Sequence, residues 1–168
     1  IVNDTTGEGS DGAIDAVALE TGAAIAVMHS RGTPATMKSL TRYADVVTDV
    51  RSFLIARARE LRELGIASDS IVLDPGIGFA KDPSQNLLLL KRLRELVDVP
   101  APLLIGTSRK SFIGAVLDLD EDERLEGTIA TVVAAVLAGA RIVRVHDVEP
   151  VVRAIRMTEA IMTVRPSA

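Results

Sequence analysis

Apolar residues along this chain come in two alternating textures. Short, mostly apolar runs at Ile1–Asp4, Ala24–His29, Ile71–Asp74, Leu103–Gly106 and Ile142–His146 predict strands buried on both faces. Longer stretches between them space apolar side chains by three and four residues, which predicts amphipathic helices. The clearest carries Val46, Val47, Val50, Phe53, Leu54, Ala58, Leu61 and Leu64, with Gly65 placed to end it in a left-handed cap. Leu87, Leu90, Leu93, Leu96 and Val97 mark the next helix. Leu125, Ile129, Val132, Val133, Val136 and Leu137 mark the one after, closed by Gly139, and Val151, Val152, Ile155 and Ile161 mark the last. The longest loops are expected at His29–Thr41 and Ile113–Glu123. Strands that alternate with helices imply a parallel sheet covered by helices.

Each predicted strand ends in polar residues, and the ends of parallel strands are where such folds collect their chemistry. Asp74, between Leu73 and Pro75, is expected at a strand rim. There its carboxylate can accept paired hydrogen bonds from an amidine-like edge, or it can simply cap a turn. Gly76 and Gly78 would let a flat ligand approach the backbone. Ser108-Arg109-Lys110-Ser111 sets two cations between two hydroxyls, an arrangement that suits a phosphate or a carbonyl oxygen, or a solvated loop. In Arg144-Val145-His146 the alternation of a strand points Arg144 and His146 the same way, toward an anion or a partner carboxylate. His29 and Arg31 either join that anion site or form a surface turn.

Composition narrows the field. The 168 residues, 48% of them hydrophobic, suffice for one core, and a single domain, or part of one, is expected over 1–168. A net charge of -4 provides no general field for nucleic acid or an anionic membrane, so any anion site must be local. No cysteine is present, which removes disulfides and thiolate metal sites, and the two histidines lie too far apart in sequence for a zinc pattern; no metal-ligating residues are assigned. The longest apolar stretch, Thr128–Ala140, falls short of a membrane span, and a cytoplasmic protein is the default expectation. Ile1 already lies in an apolar run with no initiator methionine before it, so the chain is expected to begin partway through a larger protein. Gly127, Ala130, Ala134, Ala135 and Ala138 on one predicted helix permit close packing either on the sheet or on a second subunit, as in a homodimer.

Taken together, Asn3-Asp4, Met28-His29-Ser30-Arg31-Gly32-Thr33-Pro34, Asp74-Pro75-Gly76-Ile77-Gly78-Phe79, Ser108-Arg109-Lys110-Ser111 and Arg144-Val145-His146-Asp147 resemble the dihydropteroate synthase family of folate biosynthesis. The match runs from Ile1 to about Met157. The resemblance implies the (β/α)8 TIM-barrel class of α/β fold, here as a partial barrel of about five strand–helix units. It implies condensation of p-aminobenzoate with 6-hydroxymethyl-7,8-dihydropterin diphosphate and release of pyrophosphate, in a family targeted by sulfonamides. Within it, Asn3 and Asp74 would bind the pterin edge, with Met28 and Gly78 lining the pocket, and Lys110 would meet the pterin oxygen and ring nitrogen. Arg144 and His146 would hold the diphosphate, so Lys110, Arg144 and His146 are the expected catalytic residues. Phe79 and Ser111 would help to place p-aminobenzoate. Magnesium is implied as well, although the family's first three strands and their metal-associated asparagine have no counterpart here, and Ala80 stands where glycine is frequent. Two other readings are a pterin-binding methyltransferase-type barrel and a non-catalytic dimerising fragment.

Overall fold

The computed structural model describes residues 1–164, so the last four positions of the expected domain lie outside the described residues. Five parallel strands follow one another in chain order: β1 (Val2–Asp4), β2 (Ile25–Met28), β3 (Ile71–Asp74), β4 (Leu104–Ile105) and β5 (Ile142–Val143). The register pairs Val2 with Ile25, Ile25 with Ile71, and Leu104 with Ile142. β3 and β4 meet through a single bridge, Leu73 to Leu103, so the first three strands and the last two form one arc with a seam. Helices α1 (Ala13–Thr21), α2 (Val46–Glu63), α3 (Pro83–Lys91), α4 (Ser111–Leu117), α5 (Leu125–Ala138) and α6 (Val148–Thr163) fill the connections.

The period of two along each strand divides the interior. Ile25, Val27, Ile71, Leu73, Leu103 and Ile105 join the large core beneath the helices, whereas Ala26, Val72, Leu104 and Ile142 pack together on the other face. That other face is the concave side of the arc, and it carries Asn3, Met28, Asp74 and Gly106 two residues beyond or beside those positions.

α2 follows its expected pattern. Asp45 caps it by accepting the Thr48 amide proton at 2.9 Å, and Val46, Val47, Val50, Leu54, Ala58 and Leu61 are buried. Gly65, with φ +101°, donates to Arg62 O while Ile66 donates to Leu61 O, the paired bonds of a left-handed helix end. Leu64 lies beyond the last turn and is exposed. α3 begins at a reciprocal Asp82–Gln85 cap with Pro83 at its first position and buries Asn86 and Leu89, then tightens into a short 3-10 turn at Leu93–Leu96. The run Leu87–Leu90 gives a helix no phase: Leu93 and Leu96 are fully buried as expected, but Leu87 of the expected face is exposed and Leu89 is fully buried instead.

Other differences have equally local causes. β5 stops at Val143 instead of His146, because after the Arg144 amide bonds Ile105 O the chain leaves the ladder. α4 occupies the start of what reads as the Ile113–Glu123 loop; it buries Phe112 and Ile113 and ends at Asp118 in a left-handed conformation. The small residues of α5 divide. Gly127 abuts Ile113, where a Cβ would come within 2.3 Å of Cγ2, while Ala130 and Ala134 are exposed. On α6, Val151 is buried, but Val152 and Ile161 of the expected core face are exposed. No helix among the described residues is long and apolar enough to cross a membrane.

Candidate functional site

The concave rim brings most of the expected site residues together. Asp74 ends β3 with its side chain 3% exposed. Its Oδ1 accepts the Gly76 amide proton at 2.8 Å and its Oδ2 accepts from Arg144 Nη2 at 2.9 Å. Arg144 Nη1 reaches across the arc to donate to Asn3 Oδ1 at 2.9 Å, so a single guanidinium ties the first strand, the third and the fifth. Only one arm of the guanidinium touches Asp74, on the oxygen that the Gly76 amide leaves free. Met28 is buried directly opposite Asp74 in the β2–β3 register.

Burial pushes the Asp74 carboxyl upward, and the Gly76 amide, Arg144 and Lys110 pull it back toward ionisation. Lys110, just before α4, is brought down to about 8 chiefly by desolvation, with Arg144 adding repulsion and Asp74 opposing both. Its ammonium donates to Ile77 O and stands 4.5 Å from the centre of the Phe79 ring. Gly78 has φ +83°, a turn conformation that favours glycine, and a Cβ there would press on the Lys110 side chain, 2.8 Å from Cδ. Ser111 opens α4 beside Lys110 and is exposed.

His146 sits on Ser108. The Ser108 Oγ accepts the His146 amide proton at 3.1 Å and lies 2.9 Å from Nδ1, so one hydroxyl fixes both the backbone and the ring of His146. Gly106, Ser108, Lys110, Arg144, Val145 and His146 line a cavity of about 280 Å3, which gathers the three expected catalytic residues. Phe79 faces a second cavity of about 330 Å3 with Thr33, Pro34 and Met37 among its walls.

Three basic residues of the expected anion cluster are used elsewhere. Arg109 adopts φ +56° and turns away to bind Asp147 with two bonds, Nε to Oδ2 at 3.0 Å and Nη2 to Oδ1 at 2.7 Å. It latches the loop after β4 to the loop after β5. Arg31 pairs with Glu8 at 2.9 Å and stacks on Tyr43 at 4.0 Å. His29 is neither an anion ligand nor part of a surface turn: it is completely buried, edge-on to Phe53 at 5.0 Å. Strand alternation explains this, since Met28 faces the concave side and His29 the helix side.

The sequence offers no signal for the residues that hold the 74–80 loop in shape. Lys81 stands before a helix cap, where a lysine ordinarily extends into water, yet it is 8% exposed and donates to Phe79 O at 2.9 Å and to Gly76 O at 3.0 Å. Tyr43 donates to Ala80 O at 2.9 Å and Asn86 Oδ1 accepts the Gly78 amide proton at 2.7 Å. Ala80 has φ +48°, a left-handed conformation in which glycine would be strain-free.

Five parallel strands with helices in the connections make a partial barrel of the pterin binding enzyme class: residues 1–146 match that family, and the chain belongs to it. The dihydropteroate synthase of Synechocystis sp. is 46% identical over 162 residues, which cover 96% of this chain and 56% of that protein. The crystal structure of Yersinia pestis dihydropteroate synthase with a sulfonamide drug complex aligns with a TM-score of 0.91 at 36% identity, covering 96% of this chain and 58% of that one. The Thermus thermophilus dihydropteroate synthase solved with 4-aminobenzoate aligns at 0.90 with 42% identity, covering 95% and 65%. The chain thus spans between 56% and 58% of the length of such curated relatives.

Proposed function

We propose that this chain, as a single partial barrel domain, carries the pterin and anion portion of a dihydropteroate synthase. The observation that supports the reading is the Asp74–Arg144–Asn3 constellation beside Lys110 and His146. In the free chain Arg144 Nη2 occupies the carboxylate oxygen that an incoming pterin edge would take. A ring entering there replaces the single Arg144 donor on Oδ2, and the planar guanidinium, still held by Asn3, is free to lie against its face. Of the relatives, the Thermus enzyme has been solved with 4-aminobenzoate and with 6HMPPP, ligands that fit the two substrate roles proposed for this chain.

In the reaction, the bond between the pterin methylene carbon and the diphosphate oxygen breaks, and its electron pair leaves with pyrophosphate. Lys110, Arg144 and His146 stabilise the growing negative charge, while the ring delocalises the cation left on the methylene. The amine of p-aminobenzoate, placed by Phe79 and Ser111, donates its lone pair to that carbon and releases a proton to solvent. No protein nucleophile is required. Among the described residues no group of three His, Asp or Glu side chains converges to hold an ion, and a magnesium ion here would be carried by the diphosphate oxygens with at most one or two protein ligands. Both substrates are small water-soluble anions, in keeping with a cytoplasmic location.

Titration calorimetry with 6-hydroxymethyl-7,8-dihydropterin diphosphate tests the reading. Saturable binding is expected, stronger than that of the free hydroxymethyl alcohol because the latter lacks the anion. Release of pyrophosphate on addition of p-aminobenzoate separates this activity from methyl transfer. A folded chain that binds neither form would refute the assignment.

A further inference from the structure

A buried cluster that the proposed chemistry does not use lies behind the 74–80 loop. Lys81 Nζ sits 3.0 Å from His29 Nδ1, in addition to its bonds to Gly76 O and Phe79 O. Where Lys81 is charged its ammonium donates, Nδ1 accepts and His29 is neutral, with its buried Nε2 left without a hydrogen-bond partner among the described residues. Its environment agrees: desolvation, aided by Lys81 and Arg31, brings His29 down to about 3. Lys81 itself is lowered to about 7 by burial, with Asp74 and Glu8 favouring its charge and Lys110 and Arg31 opposing it.

Burying a lysine is costly, and an apolar side chain would fill the same space more favourably. What only a donor can do here is bind two loop carbonyls at once. The loop needs such help, because Gly76, Gly78 and Ala80 all adopt positive φ, at 67°, 83° and 48°, and no strand ladder supports them. Asn86, Tyr43 and Lys110 each hold one peptide group of the loop, whereas Lys81 holds two and brackets Phe79 from both sides.

We propose that Lys81, seated on neutral His29, is a positioning residue that fixes Phe79 between the anion cleft and the neighbouring cavity, and thereby sets the aromatic-amine side of the site. Identification of that side with p-aminobenzoate rests on the function proposed above. The charge of Lys81 stays buried and touches neither substrate; its effect is transmitted through the Gly76 and Phe79 carbonyls.

The chain has three phenylalanines, Phe53, Phe79 and Phe112, which makes fluorine NMR of fluorophenylalanine-labelled protein a direct readout. Phe79→Leu identifies its resonance, and Phe112, buried in α4, serves as the control. In Lys81→Met the Phe79 resonance is expected to shift and broaden while that of Phe112 stays in place. Calorimetry on the same variant is expected to show about tenfold weaker p-aminobenzoate binding, the scale of a lost charge-assisted hydrogen bond, and less than about threefold change for dihydropterin diphosphate. An unmoved Phe79 resonance, or equal losses for both ligands, overturns the proposal. Should Lys81→Met fail to fold by circular dichroism, Lys81→Leu, which is shorter and also lacks a donor, is read by the same spectrum, and an unmoved resonance there overturns it equally. A wild-type chain that binds neither ligand refutes the function while the fluorine spectrum still decides the role of Lys81.

Discussion

Asp74→Asn separates a binding role from a structural one. The amide can keep its oxygen on the Gly76 amide proton, now at 2.8 Å, but it turns an NH2 toward Arg144 in place of a carboxylate oxygen. For the fold, two effects oppose. A charge-assisted hydrogen bond worth about 1.5–3 kcal/mol is lost, and the desolvation that pushes the Asp74 carboxyl upward disappears with the charge. Arg144 is 41% exposed and retains Asn3, so it is not stranded in the interior. The net change in stability is expected to stay within about 1 kcal/mol. For a pterin edge the balance is different: the amide accepts one of two N–H groups and faces the second donor to donor. That costs about 3 kcal/mol, on the order of a hundredfold in Kd. Calorimetry with dihydropterin diphosphate, paired with thermal unfolding followed by circular dichroism, reads both quantities, and inorganic pyrophosphate should bind the variant nearly as well as the parent. An affinity within about threefold of wild type, or loss of the fold, would refute this account of Asp74.

Two further outcomes follow from the same geometry. Lys81 at about 7 and Lys110 at about 8 both lie below the lysine value of 10.5, so over that interval the unfolded chain holds protons that the folded chain has shed; stability should rise with pH from about 7 toward 10. Tyr43, raised to about 12, works in the opposite direction above 10. Pyrophosphate affinity should meanwhile fall above about 8 as Lys110 loses its charge, and Tm and Kd that improve together across this range would contradict the assignment. Gly76→Ala places a Cβ 1.9 Å from His29 O at φ +67°, so a left-handed penalty of about 1–2 kcal/mol adds to a backbone clash. Urea unfolding should show a clearly lower midpoint, and an unchanged one would mean that the loop can relax.

Much of the architecture was legible because it is written in local periodicity. The run Val46–Leu61 has one apolar face, one acidic cap and one terminal glycine, and it forms the helix these features specify. The leucines at 87–90 carry no such phase, and only the neighbouring elements decide that Leu89 faces inward. α4 was hidden for a related reason: a polar cluster and a glycine precede a short apolar segment, and the helix is stabilised by burial of Phe112 and Ile113.

The candidate site divides along the same line. Sequence alone determined that Asp74, Lys110, Arg144 and His146 end consecutive strands or open the loops after them, and the shared direction of strands in a parallel sheet then places them on one rim. Which cation does what is a tertiary matter. Arg109 and Lys110 are adjacent in the chain, yet one is latched to Asp147 and the other lies over Phe79, because a left-handed turn at Arg109 sends their side chains apart. Lys81 looks like a surface residue by type and context, and it is buried because carbonyls of the distorted 74–80 loop and the nitrogen of His29, more than fifty positions away, converge where its ammonium lies. Partners of that kind have no sequence periodicity, since they are fixed by the close packing of distant segments rather than by the local repeat of a helix or strand.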